Sequence, residues 1–120
     1  MTHSFFVTTY YFSNLRISLP SIQRYIKQNL KYSFNLLLSN DNPNLKLTEE
    51  YISKFIDLSL FNKVVILNTD ENLGQFRNRV KCIKRGYEEF QDCKYFMFVD
   101  DDDVVLNPTF DSDKFGIIHR

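Results

Sequence analysis

The sequence is poor in the residues that usually interrupt or staple a chain. It has 3 glycines, 3 prolines and 2 cysteines in 120 residues, and no tryptophan. So little Gly and Pro excludes collagenous and low-complexity chains, and two cysteines make no disulfide framework. Cys82 and Cys93 are eleven positions apart, too far for a CxxC redox pair or a zinc knuckle, and read as free thiols in a reducing cytosol. The chain also lacks net charge, with 15 basic against 15 acidic residues, so no overall positive field argues for nucleic acid. Its longest apolar runs, around Val64 to Leu67 and Tyr95 to Val99, are far short of the roughly 18 to 20 residues of a membrane helix. The first nine residues have no basic segment to open a signal peptide. The reading is a cytoplasmic protein, not integral to a membrane.

What is present is a packed chain, 43% hydrophobic and 25% charged, of a length that fits one domain over residues 1–120. Phe5 to Thr9, Phe34 to Leu38, Lys63 to Leu67 and Tyr95 to Val99 are short apolar or β-branched runs that predict buried strands. Between the first two, Leu15, Leu19, Ile22, Ile26 and Leu30 recur every three or four residues. They predict a helix to about Leu30, capped by Ser13-Asn14 and kinked or restarted at Pro20. Thr48 predicts the cap of a second helix reaching about Leu60, with Leu47 and Ile52 as its hydrophobic staple. Gly74 to Phe90 predicts a third, with Leu73, Phe76, Val80, Ile83, Tyr87 and Phe90 on its core face. The order is βαβαβαβ. Uniformly apolar strands separated by helices imply an α/β, Rossmann-like, mostly parallel sheet with helices on both faces.

In such a sheet the ligand lies beyond the carboxyl ends of the strands. Those ends carry Thr8-Thr9-Tyr10, Asn40-Asp41, Asn68 to Asn72 and Asp100 to Asp103. Four consecutive aspartates repel one another by roughly 4 kcal/mol per adjacent pair at 4 Å and an effective dielectric of 20, before screening. Such a cluster suits a hard cation, and Mg²⁺ or Mn²⁺ is commonly shared between carboxylates and a substrate's phosphates. The bland alternative is a solvated acidic turn. An EF-hand is excluded because Val104 and Val105 stand where an oxygen ligand and Gly are needed, and Gly74, Gly86 and Gly116 can form neither a P-loop nor a GxGxxG fingerprint.

Phe6-Val7-Thr8-Thr9-Tyr10, Leu38-Ser39-Asn40-Asp41-Asn42, Asn72-Leu73-Gly74 with Arg77-Asn78, and Phe98-Val99 with Asp100 to Asp103 and Leu106-Asn107-Pro108 occur in the order of four family motifs. Over about Phe5 to Phe110 the chain resembles the nucleotide-binding half of a family 2 glycosyltransferase of the GT-A fold. The resemblance implies a nucleotide-sugar donor, a DXD-bound Mn²⁺ or Mg²⁺, and transfer to a glycan, lipid or protein acceptor. It implies that Thr9, Tyr10 and Asn72 line the donor pocket, that Asp41 accepts from the base, and that Asp100 and Asp101 face the ribose or sugar. Asp100 and Asp102 would hold the metal. Either Arg77 or Arg79 would match the family's arginine, with an exposed helix face shared with Lys81, Lys84 and Arg85 as the plain reading. Asn40 and Asn42-Pro43 depart from the family's Asp-Asp-Gly-Ser pattern. The family's acceptor half, with its Asp or Glu general base, has no counterpart in Asn107 to Arg120, and neither Asp111 nor Asp113 matches that base. The alternatives are a truncated, non-catalytic module that binds nucleotide or a partner, and a nucleotidyltransferase, which lacks its Gly- and Lys-rich loop here. His3 and His119 read as solvated terminal histidines, and the aromatics as core, except Tyr10 and Tyr11.

Overall fold

The structure, a computed structural model, describes residues 2–91, 93, 95–106 and 116–117. Four parallel strands, β1 (Thr2–Thr9), β2 (Ser33–Asn40), β3 (Lys63–Leu67) and β4 (Tyr95–Asp100), lie in the order β3-β2-β1-β4. A two-residue strand, β5 (Gly116–Ile117), pairs antiparallel with the far edge of β4 and was not expected from the sequence. The α/β, Rossmann-like arrangement predicted from the strand pattern is therefore observed. β1 and β2 are central and almost wholly buried, which is why both read as continuous apolar runs.

Helix α1 (Leu15–Lys27) covers one face, burying Leu15, Leu19, Ile22 and Ile26 against Phe5, Val7, Leu36 and Leu38. It follows a short 3-10 turn (Phe12–Asn14), and Asn14 makes no side-chain cap. It passes through Pro20 without a break and ends three residues before Leu30, which is 69% exposed. The second helix is also shorter than expected. Thr48 does cap it, accepting from the Tyr51 amide, but α2 is only Glu49–Ile52, and a separate 3-10 turn covers Leu58–Leu60. Ser53 bonds back to the Glu50 carbonyl, and Asp57 accepts from Ser59, so local side chains compete with a continuous helix.

Helix α3 (Gln75–Glu89) covers the opposite face and corrects the sequence reading most sharply. Its buried residues are Asn78, Cys82 and Gly86, whereas Phe76 is 80%, Ile83 40% and Tyr87 43% exposed. The reason is distance. Gly86 sits directly on the Phe6 ring, so a Cβ there would overlap it. A helix seated this close admits only small side chains beneath it, so Phe76, Ile83 and Tyr87 are turned outward, whereas Phe90, at the C-terminal end of the helix, is buried as expected. Asn78 donates to the Ser39 carbonyl at 3.2 Å, and its Oδ1 accepts a hydrogen bond from the Ser39 hydroxyl. Cys82 and Cys93 are both buried thiols, and burial pushes the Cys82 thiol up to about 12.

His3 is not solvated. Because β1 starts at Thr2, His3 is fully buried among the rings of Tyr32, Phe34 and Tyr95, with centroids 5.0 to 5.7 Å away. Burial lowers its pKa from 6.5 to about 4. His119, Asp111, Asp113 and the segment Asn107-Pro108 lie outside the described residues. No helix among the described residues is long and apolar enough to cross a membrane.

Candidate functional site

The carboxyl ends of β1, β2 and β4 and the start of α3 enclose a pocket of ≈ 370 Å³, lined by Thr8 to Tyr11, Asp41, Gln75, Asn78 and Asp100 to Asp102. Its volume lies within the range common for ligand sites. Thr9, Tyr10, Asp41, Asp100, Asp101 and Asp102, all singled out in the sequence, meet here. Gln75 was not singled out, and Asn78 was named only as part of the Arg77-Asn78 motif, not as a site residue. They were legible only as the first turn of a helix beginning after Gly74.

The four aspartates have different partners. Asp100 takes Arg79 at 3.1 and 3.3 Å on its two oxygens, and its Oδ1 also accepts from Gln75 at 2.9 Å and the Thr8 hydroxyl at 3.1 Å. The Arg79 guanidinium lies 5.3 Å from the centroid of the Phe98 ring, which holds it beside β4. Asp101 accepts from the Thr9 hydroxyl at 2.8 Å and the Tyr10 amide at 3.4 Å. Burial pushes the Asp101 carboxyl above the usual carboxylate range, and those donors pull it part of the way back. Asp103 closes the turn: it accepts from the Asp100 amide, and its own amide donates to the Asp100 carbonyl, both at 3.0 Å. Asp102 is exposed on the pocket rim and has no hydrogen-bond or ion-pair partner among the described residues. The repulsion expected of the run is thus relieved mostly by protein groups.

At the end of β2, Asp41 is 7% exposed and accepts from two backbone amides, Leu73 at 2.7 Å on Oδ1 and Gly74 at 3.0 Å on Oδ2. The flanking asparagines serve the turn itself. Asn40 donates to the carbonyls of Asn42 and Leu45 and to the Asn68 side chain, and accepts from the Asn42 amide. Asn42 donates to the Tyr10 carbonyl at 3.3 Å. An aspartate at position 40 could not donate these bonds, which is a physical reason for the departure from Asp-Asp. Asn72 lies outside the pocket, exposed, and accepts from the Gly74 amide at 3.0 Å. Of the two arginines, Arg79 reaches the pocket's carboxylate. Arg77 lines a separate cavity on the outer side of α3 with Leu73, Phe76 and Val80.

Among the described residues, no three His, Cys, Asp or Glu side chains converge to hold a metal ion by themselves. Asp100 and Asp102 do share one pocket. That donor set fits a divalent cation that brings phosphate oxygens with it, because Mg²⁺ is commonly held by one or two carboxylates plus a substrate's phosphates.

Comparison with known proteins bears on the family and the fold. The family model described as Glycosyl transferase family 2 matches residues 6–110. A crystal structure of S. aureus TarS is similar, at 19% identity and a TM-score of 0.60, over 87% of this chain and 17% of that one. The 1–349 portion of TarS in complex with UDP is likewise similar, at 19% identity and a TM-score of 0.61, over 87% of this chain and 28% of that one. The chain therefore spans well under a third of the length of these structures, and at such identity the likeness concerns the fold. A search of curated proteins finds no match.

Proposed function

The chain belongs to glycosyl transferase family 2, and on that premise we propose that it forms the donor-binding part of a glycosyltransferase. The donor is a nucleotide-diphosphate sugar of the UDP or GDP type, and its sugar passes to the hydroxyl of a glycan, lipid or protein acceptor. The observation that carries this reading is the pocket at the carboxyl edge of the sheet, where Asp102 has no partner among the described residues and stands beside the Asp100–Arg79 pair. That TarS was crystallised with UDP supports a uridine donor.

The residues divide the work by their chemistry. Tyr10 and Tyr11, with ring centroids 4.9 Å apart, offer aromatic surface at the pocket wall for a base. Thr9 and Asp101 tie the end of β1 to the β4 turn and keep that wall in place. Asp100 and Asp102 would hold Mn²⁺ or Mg²⁺, which when bound supplies Lewis-acid stabilisation of the departing diphosphate. Arg79 lies at the same edge and offers the planar donor fork that phosphate oxygens take. Asn72 and Arg77, outside the pocket, have no direct part in this reading. No general base is assigned.

Calorimetric titration with UDP and GDP, with and without Mn²⁺, tests it. Nucleotide should bind more tightly with metal, and Asp102→Asn should remove the metal's effect. Arg79→Ala should weaken binding about tenfold, the worth of one charged hydrogen bond, while Arg77→Ala changes it less than about twofold. Absence of nucleotide binding with or without metal would sink the reading. Binding with no donor hydrolysis or transfer selects a nucleotide-binding module over a transferase.

A further inference from the structure

We propose that Asp41 is a positioning residue, which fixes the N-terminal corner of α3 and thereby aims Gln75 and Arg79 at Asp100. Its burial and its hydrogen bonds fit that role. Its carboxylate is 7% exposed, and each oxygen already accepts a backbone amide, Leu73 at 2.7 Å and Gly74 at 3.0 Å. Its own amide donates to the Thr9 carbonyl at 2.8 Å. One residue therefore ties the end of β1, the end of β2 and the start of α3.

The corner needs such a tie. Gly74 is the N-cap of α3 with φ +81°, a conformation that glycine adopts without strain, and it has no side chain to cap the helix. Asp41 supplies the missing anion from another strand, at the end of the helix where the dipole favours negative charge. Asn72 shares the Gly74 amide at 3.0 Å, but the Leu73 amide goes to Asp41. From this corner the chain enters Gln75 directly, and one turn later Arg79, and both reach Asp100 at 2.9 to 3.3 Å. A shift of the helix start by an ångström would break both contacts. Asp41 thus acts on a ligand through Arg79, in addition to whatever its remaining lone pairs accept at the pocket wall.

The consequence for nucleotide rests on the donor-binding reading, whereas the geometry of the corner does not, and the experiment separates the two. Hydrogen exchange of the wild-type chain without ligand should show the Leu73 and Gly74 amides protected. Asp41→Asn, which leaves one acceptor oxygen, should speed exchange there about tenfold or more while the β1 and β2 amides keep their rates. In Mn²⁺ titrations the same variant should weaken UDP and GDP by the same factor. That loss should largely vanish in an Arg79→Ala background, as coupled residues require. Unprotected amides in the wild type, effects of the two substitutions that simply multiply, or a loss confined to one base would each overturn the proposal. If no nucleotide binds the wild type, the donor reading fails, and exchange at Leu73 and Gly74 alone decides the positioning role.

Discussion

Asn40→Asp restores the family's residue, and the structure says it should be harmful. Asn40 is fully buried, and its Nδ2 lies 3.1 Å from the Asn42 carbonyl, 2.7 Å from the Leu45 carbonyl and 2.9 Å from Asn68 Oδ1. An ionised aspartate keeps the acceptor for the Asn42 amide but turns an oxygen toward three other oxygens. Losing two amide protons costs roughly 1 kcal/mol each, and a buried charge left without a partner adds several more before the loop relaxes. We expect about 3 to 5 kcal/mol of destabilisation at pH 7, a large share of the roughly 5 to 15 kcal/mol of a typical domain. The charged form is the one disfavoured, so the folded pKa of the introduced carboxyl rises above its unfolded value of about 3.9. Its penalty is therefore complete at high pH and fades as pH falls toward 3.9. The gap to wild type should narrow by roughly 1 kcal/mol between pH 7 and pH 5. Urea denaturation of both proteins at each pH measures this, and taking the difference cancels the titration of every other group. A variant within about 1 kcal/mol of wild type at pH 7, or a gap that does not depend on pH, refutes the reasoning.

Two further substitutions probe the packing. His3 has a folded pKa of about 4 against 6.5 unfolded, so it favours the fold above pH 6.5 and loses that contribution as pH falls. The loss should reach about 2 kcal/mol at pH 5 and about 3 kcal/mol below pH 4. His3→Phe should flatten the pH dependence of urea stability across that window, and an unchanged slope would clear His3 of it. Gly86→Ala adds a methyl against the Phe6 ring, which is itself enclosed by Phe90, Phe96 and Phe98. Overpacking of about 1 to 3 kcal/mol should outweigh the roughly 1 kcal/mol helix gain of alanine, so a thermal midpoint above wild type would contradict the close approach of α3.

The strands were legible because burial on both faces writes an unbroken apolar run, and β3 falls on Lys63–Leu67 as read from the sequence. The pocket edge was legible for a related reason, since polar residues cluster where the strands end. The core face of α3 was not. Periodicity finds the largest apolar stripe, whereas this helix rests on Asn78, Cys82 and Gly86, chosen for small size and a bond to Ser39. His3 was misread because position in the chain stood in for burial, while register pairs it with Phe34 and Tyr95. The choice between Arg77 and Arg79 depended on a rotation of 200° around the helix, which motif spacing alone left open.

The acidic run shows how far charge counting carries. Four adjacent carboxylates in isolation imply a resident cation, because each contact between neighbours opposes folding by kilocalories. In the folded chain Asp100 faces Arg79 at 3.1 Å, an attraction of the same order as one such repulsion, and Asp101 and Asp103 are held by neutral donors. The demand for a cation falls from four carboxylates to one, Asp102. A site with one uncommitted carboxylate beside one already balanced has little reason to retain a bare divalent ion, but it can complete the shell of an ion delivered on a diphosphate. Metal affinity should therefore depend on nucleotide, and by linkage nucleotide affinity should depend equally on metal. That reciprocity follows from how the four aspartates are spent, and it is the form that metal dependence must take if the donor-binding reading is correct.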